Sequence, residues 1–170
     1  ATLRPRIERD VIEPFVAKRQ RTAQGYAPAD ADDLAEWLKE RVLVPEREWI
    51  ALRGAVADAA TTPMHWLSTD DRRWAVHPEY ARSVSNQLLG DAREDLVDVD
   101  DPRDQCQLIR EILSFYGPLT RDEIVALLPL PGAGLDAVLA ALLDDGVMVA
   151  GPLVANDESV RYCDADNLEI

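Results

Sequence analysis

The stretch LTRDEIVALLPLPGAGLDAVLAALLDDGVMVAG, residues 119–151, decides how this chain is to be read. Thr120-Arg121-Asp122-Glu123 has the form of a capping box, in which the threonine hydroxyl and the glutamate carboxylate each satisfy a backbone N–H at a helix start. Ile124, Leu127 and Leu128 supply that helix with an apolar stripe. After the turn at 129–134, Leu135, Val138, Leu139 and Leu142 recur at three- and four-residue spacings, which predicts a further helix over 135–143 stopped by Gly146. Upstream, Leu108, Ile109, Ile112, Leu113 and Tyr116 predict an amphipathic helix that opens at Gln105 and ends before Gly117-Pro118. Downstream, Val147-Met148-Val149 and Val160-Arg161-Tyr162-Cys163 flank the polar turn Asn156-Asp157-Glu158-Ser159, as the strands of a hairpin do. Three helices followed by a hairpin predict a winged helix-turn-helix domain over 104–170.

A similar order precedes it. Leu34, Trp37, Leu38, Arg41 and Val42 follow helical spacing behind Asp30, and Pro45-Glu46 starts another helix through Trp49, Ile50, Leu52, Arg53 and Val56. His65-Trp66-Leu67 and Arg73-Trp74-Ala75-Val76 are β-prone runs on either side of Ser68-Thr69-Asp70-Asp71, and Pro78 opens a short helix through Tyr80 and Val84. Residues 28–85 are thus expected to form a smaller helical unit with a β-hairpin, and a second, partial winged helix is one reading of it. Residues 86–103, rich in acidic side chains, are expected to be a hydrated linker, and 1–27 a basic N-terminal segment. The predicted fold class is mainly α, of the α+β kind.

Charge is uneven along the chain. The 170 residues carry a formal net charge of −14, yet 1–27 hold Arg4, Arg6, Arg9, Lys18, Arg19 and Arg21 against only Glu8, Asp10 and Glu13. Those cations serve either as a solvated or intramolecularly paired face or as a phosphate-binding surface. No apolar run approaches the roughly 20 residues that cross a bilayer, and no secretory pattern opens the chain, so no membrane partner and a cytoplasmic location are expected. Cys106 and Cys163, without a Cys-x-x-Cys pair, are expected in the core rather than in a metal site. His65 alternates within a strand and His77 stands at a helix start. Trp37 and Trp49 lie in apolar helix stripes, whereas Trp66 and Trp74 are the pair expected at the surface, where they could stack single-stranded bases.

Four strings, in order, resemble the C-terminal region of the Lhr (large helicase-related) family of superfamily 2 DEAD/DEAH-box helicases: Ile112-Leu113-Ser114-Phe115-Tyr116-Gly117-Pro118-Leu119-Thr120, Leu142-Leu143-Asp144-Asp145-Gly146, Val149-Ala150-Gly151-Pro152-Leu153, and Tyr162-Cys163-Asp164-Ala165-Asp166-Asn167-Leu168-Glu169. Gly25-Tyr26-Ala27-Pro28 and Glu36-Trp37-Leu38-Lys39-Glu40-Arg41-Val42 are similar to the segment preceding it in longer members. The resemblance implies a winged-helix accessory module of an ATP-dependent DNA helicase with a role in DNA repair. Neither a Gly-x-x-x-x-Gly-Lys-Ser/Thr loop nor an Asp-Glu-x-His box occurs here, so ATP and magnesium are expected only in the parent helicase core, and no cofactor in this chain. The absence of an initiating Met and the end at Ile170 are read as those of a piece of a larger polypeptide. The same C-terminal region is similar to winged-helix DNA glycosylases with a Gln-x-Gln motif; Gln105-Cys106-Gln107 carries those letters, although exposed glutamines opening a helix are the commoner meaning.

No side chain on the outward face of the 135–143 helix, Asp136, Ala137, Ala140, Ala141 and Asp144, reads guanine or adenine. Two aspartates there would repel phosphates. Small Ala137, Ala140 and Ala141 instead suit close packing against other domains of the same polypeptide. Sequence-independent DNA or RNA contact is assigned to Arg4, Arg6, Arg9, Lys18, Arg19 and Arg21, to Arg72 and Arg73 on the hairpin, and to Thr120 and Arg121 at a helix start. The alternative is a stand-alone winged-helix regulator or protein-interaction module. A part in a glycosylase-like region is the third reading.

Overall fold

A computed structural model describes residues 5–168. Among these residues the chain is of mixed character, with seven α-helices and two three-stranded antiparallel sheets. It divides into two compact units: Arg21–Ile112, and the described residues up to Gln20 together with those from Leu113 onward.

In the Arg21–Ile112 unit, Asp30 caps α2 (Ala31–Arg41) by accepting the Asp33 N–H, and Leu34, Trp37 and Leu38 turn inward. The next turn is abrupt. Val42 takes φ +69° and ψ −58°, and the Leu43 N–H reaches back to the Arg41 carbonyl at 2.8 Å, closing a γ-turn that a β-branched residue seldom accepts. It delivers Val44–Pro45 (β1) to the sheet, and Pro45 is at once the last residue of β1 and the N-cap of α3 (Glu46–Gly54). β2 (His65–Ser68) and β3 (Arg73–Val76) form the hairpin, with β3 central in the order β1-β3-β2. α4 (Ala81–Val84) runs into a π turn at Ser85–Leu89. Arg41 is wholly buried and donates to the half-buried Glu48 on α3 at 2.7 Å, so its charge is met at the edge of the core.

Residues 91–104 carry no helix or strand and are mostly exposed, with a few side chains anchoring them to the unit. Leu96 is buried, and Arg103 holds Asp101 through two nitrogens and Glu111 at 2.5 Å. Glu111 lies on α5 (Gln105–Leu113). Residues 105–112 therefore belong with this unit, whereas the sequence pattern assigns the helix to the last domain.

The other unit repeats the element order. Leu119–Thr120 (β4) leads directly into α6 (Arg121–Leu127), with Thr120 as the last strand residue and also the N-cap; both halves of the capping box are formed. α7 (Gly132–Asp144) buries Leu135, Val138, Leu139 and Leu142, and Gly146 follows at φ +74°. β5 (Met148–Gly151) and β6 (Arg161–Asp164) complete the sheet in the order β4-β6-β5. In each sheet the short first strand pairs with the second strand of the hairpin, Val44 opposite Ala75 and Leu119 opposite Tyr162.

Residues 5–20 join this unit rather than standing apart. The Ile7 N–H donates to the Leu153 carbonyl at 2.8 Å and the Ala155 N–H to the Ile7 carbonyl at 2.9 Å. α1 (Arg9–Arg19) then lies so close to Gly117 that a Cβ there would come within 3.0 Å of Ile12 and 3.1 Å of Val16. A larger residue there would make the Ile12 and Val16 side chains give way by a few tenths of an ångström.

Thr120→Ala should lower stability by about 1 kcal/mol, since it removes the acceptor for one helix N–H and the reciprocal geometry of Glu123. Chemical denaturation at neutral pH measures this, with Thr120→Ser expected to retain most of the stability.

Candidate nucleic-acid interface

The outward face of α7 is formed as its sequence suggests: Asp136, Ala137, Ala140 and Asp144 are exposed and Ala141 is half-buried. Its charge is partly met from α6. Arg121 donates to both carboxylate oxygens of Asp136, at 2.6 and 2.9 Å, holding the Asp136 carboxyl below the ordinary aspartate range and raising its own pKa. A phosphate at the start of α6 would have to displace a carboxylate already seated on Arg121. Thr120 is committed in the same way, since its hydroxyl accepts the Glu123 N–H within the capping box.

The N-terminal cations lie in two places. Arg6 donates two hydrogen bonds to Glu158, at 2.6 and 3.1 Å, and Arg9 donates one to Asp157 at 2.8 Å, both in the turn that joins β5 to β6. Asp157 also receives Arg161 through two nitrogens, and Arg161 reaches on to Glu123 at 2.8 Å. Further along, Arg19 donates to the Ser114 carbonyl and stacks 4.5 Å over Phe115, while Lys18 is on the exposed side of α1. Arg21 belongs to the other unit, where it pairs with Asp33 and lies over Trp37. Arg4 is outside the described residues. The arginines assigned to DNA from sequence are thus drawn onto carboxylates, carbonyls and rings of their own units.

The hairpin arginines behave alike. Arg73 lies 4.1 Å over the Trp66 ring and hydrogen-bonds Glu46, and Arg72 lies 5.0 Å over Trp74. Trp74, expected at the surface, is 1% exposed. The register explains the correction: Trp74 stands opposite Leu67 and Trp66 opposite Ala75, and side chains alternate faces along a strand, so the two rings point to opposite sides of the sheet. Of the two, only Trp66 is accessible, and only in part, so they form no paired stacking platform.

Burial pushes the Cys163 thiol up to about 12, leaving it protonated at neutral pH, while Cys106 is half-buried rather than in the core. Gln105 donates to the Gln87 carbonyl at 2.9 Å, and Gln107 accepts the Asp104 N–H while Asp104 accepts the Gln107 N–H. Both glutamines of the Gln-x-Gln string therefore anchor the start of α5. His77, buried and held neutral mainly by desolvation, accepts the Glu79 N–H through Nδ1 at the start of the turn before α4. No group of three metal-ligating side chains occurs among the described residues, and no single helix there is long and apolar enough to cross a membrane. Comparison with protein-family models and with curated proteins yields no match for the chain.

The Ser159 backbone N–H and hydroxyl, with Arg161 beside them, lower the Asp157 carboxyl from an ordinary 3.8 to about 2. Because the folded value is the lower one, the stabilisation is complete above the ordinary value and is lost as pH falls through the folded value. Denaturant unfolding across acid pH should show Asp157→Asn less stable than the wild type at neutral pH, with the gap closing as pH falls from about 4 to about 2.

Proposed function

We propose that the chain is a non-catalytic accessory module of an Lhr-like ATP-dependent DNA helicase, built from a winged-helix unit preceded by a second, partial one. It organises neighbouring domains of the same polypeptide and adds weak, sequence-independent contact to DNA or RNA. The observation that carries the proposal is the shared order of the units: a two-residue strand ending in a helix cap, then a hairpin whose second strand pairs with it. In the first unit the place of the third helix is taken by a 3-10 turn at Ala59–Thr61, too short to enter a groove. The Lhr assignment itself rests on the four strings in residues 112–169.

A scaffold role is favoured over base reading by side-chain chemistry. α7 offers alanines and aspartates outward, neither of which donates to a guanine edge, and Arg121 is engaged by Asp136. Small side chains let a second element approach the helix backbone closely. The test has two arms. Titration of labelled duplex and single strand should give weak, steeply salt-dependent binding that ignores sequence; tight binding that discriminates sequences would overturn the proposal. Replacing Ala137 and Ala140 by Glu should leave unfolding of this chain within about 0.5 kcal/mol of wild type. In the parent polypeptide the same replacement should loosen domain association, read as faster limited proteolysis between domains; unchanged proteolysis would count against the packing role.

A further inference from the structure

The Glu158 side chain is 84% exposed and accepts from the Arg6 guanidinium. Both of its oxygens take nitrogens of that one guanidinium, the fork geometry in which arginine also holds a phosphate. Asp157 beside it differs in kind. It accepts the Ser159 N–H at 2.9 Å and two nitrogens of Arg161, so it is fixed by its own loop, and its bond from Arg9 is an addition. One carboxylate shapes the turn; the other covers an arginine.

We infer that Arg6 and Arg9 form a phosphodiester-binding site that the acidic turn occupies in cis, with Glu158 as its removable cover. This inference rests on the nucleic-acid contact proposed above. The arm need not unfold for the site to open, because the Ile7 backbone is held separately by its hydrogen bonds to Leu153 and Ala155. Arg9 can leave Asp157 without stranding it, since Arg161 remains on that carboxylate. An open cleft of about 400 Å³, whose lining includes Arg6, Ile7, Glu8, Val11, Leu153 and Leu168, lies beside Arg6 and leaves a strand room to approach it, with Glu8 contributing a further carboxylate. The competition is unequal in a way that salt controls. Glu158 and Arg6 face each other in high dielectric, where an ion pair is weak, whereas a polyanion gains from releasing its condensed counterions as each phosphate is neutralised. At low ionic strength the turn, held in cis, still covers Arg6, and a polyanion takes that arginine once Glu158 is removed; at high ionic strength neither holds the arginines strongly.

Masking makes a specific pattern of non-additivity. In the wild type, Arg6→Gln should change affinity for labelled single-stranded DNA less than twofold, because Arg6 is already covered. Glu158→Gln should tighten binding about tenfold at low salt and steepen the dependence of log K on log salt by about 0.7, the value of one further phosphate contact on a single strand. In the Glu158→Gln background, Arg6→Gln should return both to wild-type values. Circular dichroism and thermal melting of each variant establish that the exposed substitutions leave the fold intact. Wild-type binding that Glu158→Gln fails to tighten, or additive effects of the two substitutions, would overturn the masking while leaving the proposed nucleic-acid contact standing. Absence of binding by every form at low salt would overturn both.

Discussion

The structure depends on the junction at which a two-residue strand becomes a helix. A hairpin by itself is marginal in water, and each hairpin here gains a third strand from only two residues. Those residues do double duty, since Pro45 closes β1 and caps α3, and Thr120 closes β4 and caps α6. With no linker between strand and helix, the sheet register also sets where the helix starts. That coupling explains why a single capping box matters beyond its own helix turn, because a helix displaced at Thr120 would carry Leu119 away from Tyr162.

Electrostatics act on top of this frame. A chain with a large acidic excess meets many of its cations internally, and the pairs recur at places where loops must be held: Arg103 to Asp101 and Glu111, Arg161 to Asp157 and Glu123, Arg121 to Asp136. Most of these pairs are partly exposed and individually weak, so they select a loop conformation rather than drive folding. Arg41 is the exception. Its guanidinium is sealed from water, so losing the half-buried Glu48 would cost more than losing a surface partner.

Local patterns are legible in the order of residues itself. The reciprocal Thr120–Glu123 cap, the Leu135-Val138-Leu139-Leu142 stripe, the inward Trp37 and Trp49 and the role of His77 beside Pro78 all follow from neighbours within four residues, where spacing alone places side chains together. β1 and β4 are not legible in this way, because two residues have no period and their partners lie some thirty to forty positions away. The parallel bridge of Ile7 to Val154 leaves still less trace. Trp74 misleads because alternation gives two faces without saying which is buried; only the pairing with Leu67 decides that. Among the site residues, composition supplies the inventory of arginines, but not the carboxylates that take them.

By itself, then, the sequence determined the cap at which α6 begins, the apolar stripes of α2, α5, α6 and α7, that α7 presents alanine and aspartate outward, and that the ends of the chain differ in charge, but not the helix α1 nor the start of α7 at Gly132. Tertiary structure alone decided which carboxylate meets which arginine, that residues 5–20 pair with the hairpin loop, and that 105–112 fold with the preceding unit. The reason is range. Helix periodicity and capping act over one turn and are written in consecutive residues, whereas strand register, ion pairing and burial join residues far apart in the chain, and no local pattern specifies which of many compatible partners is brought near.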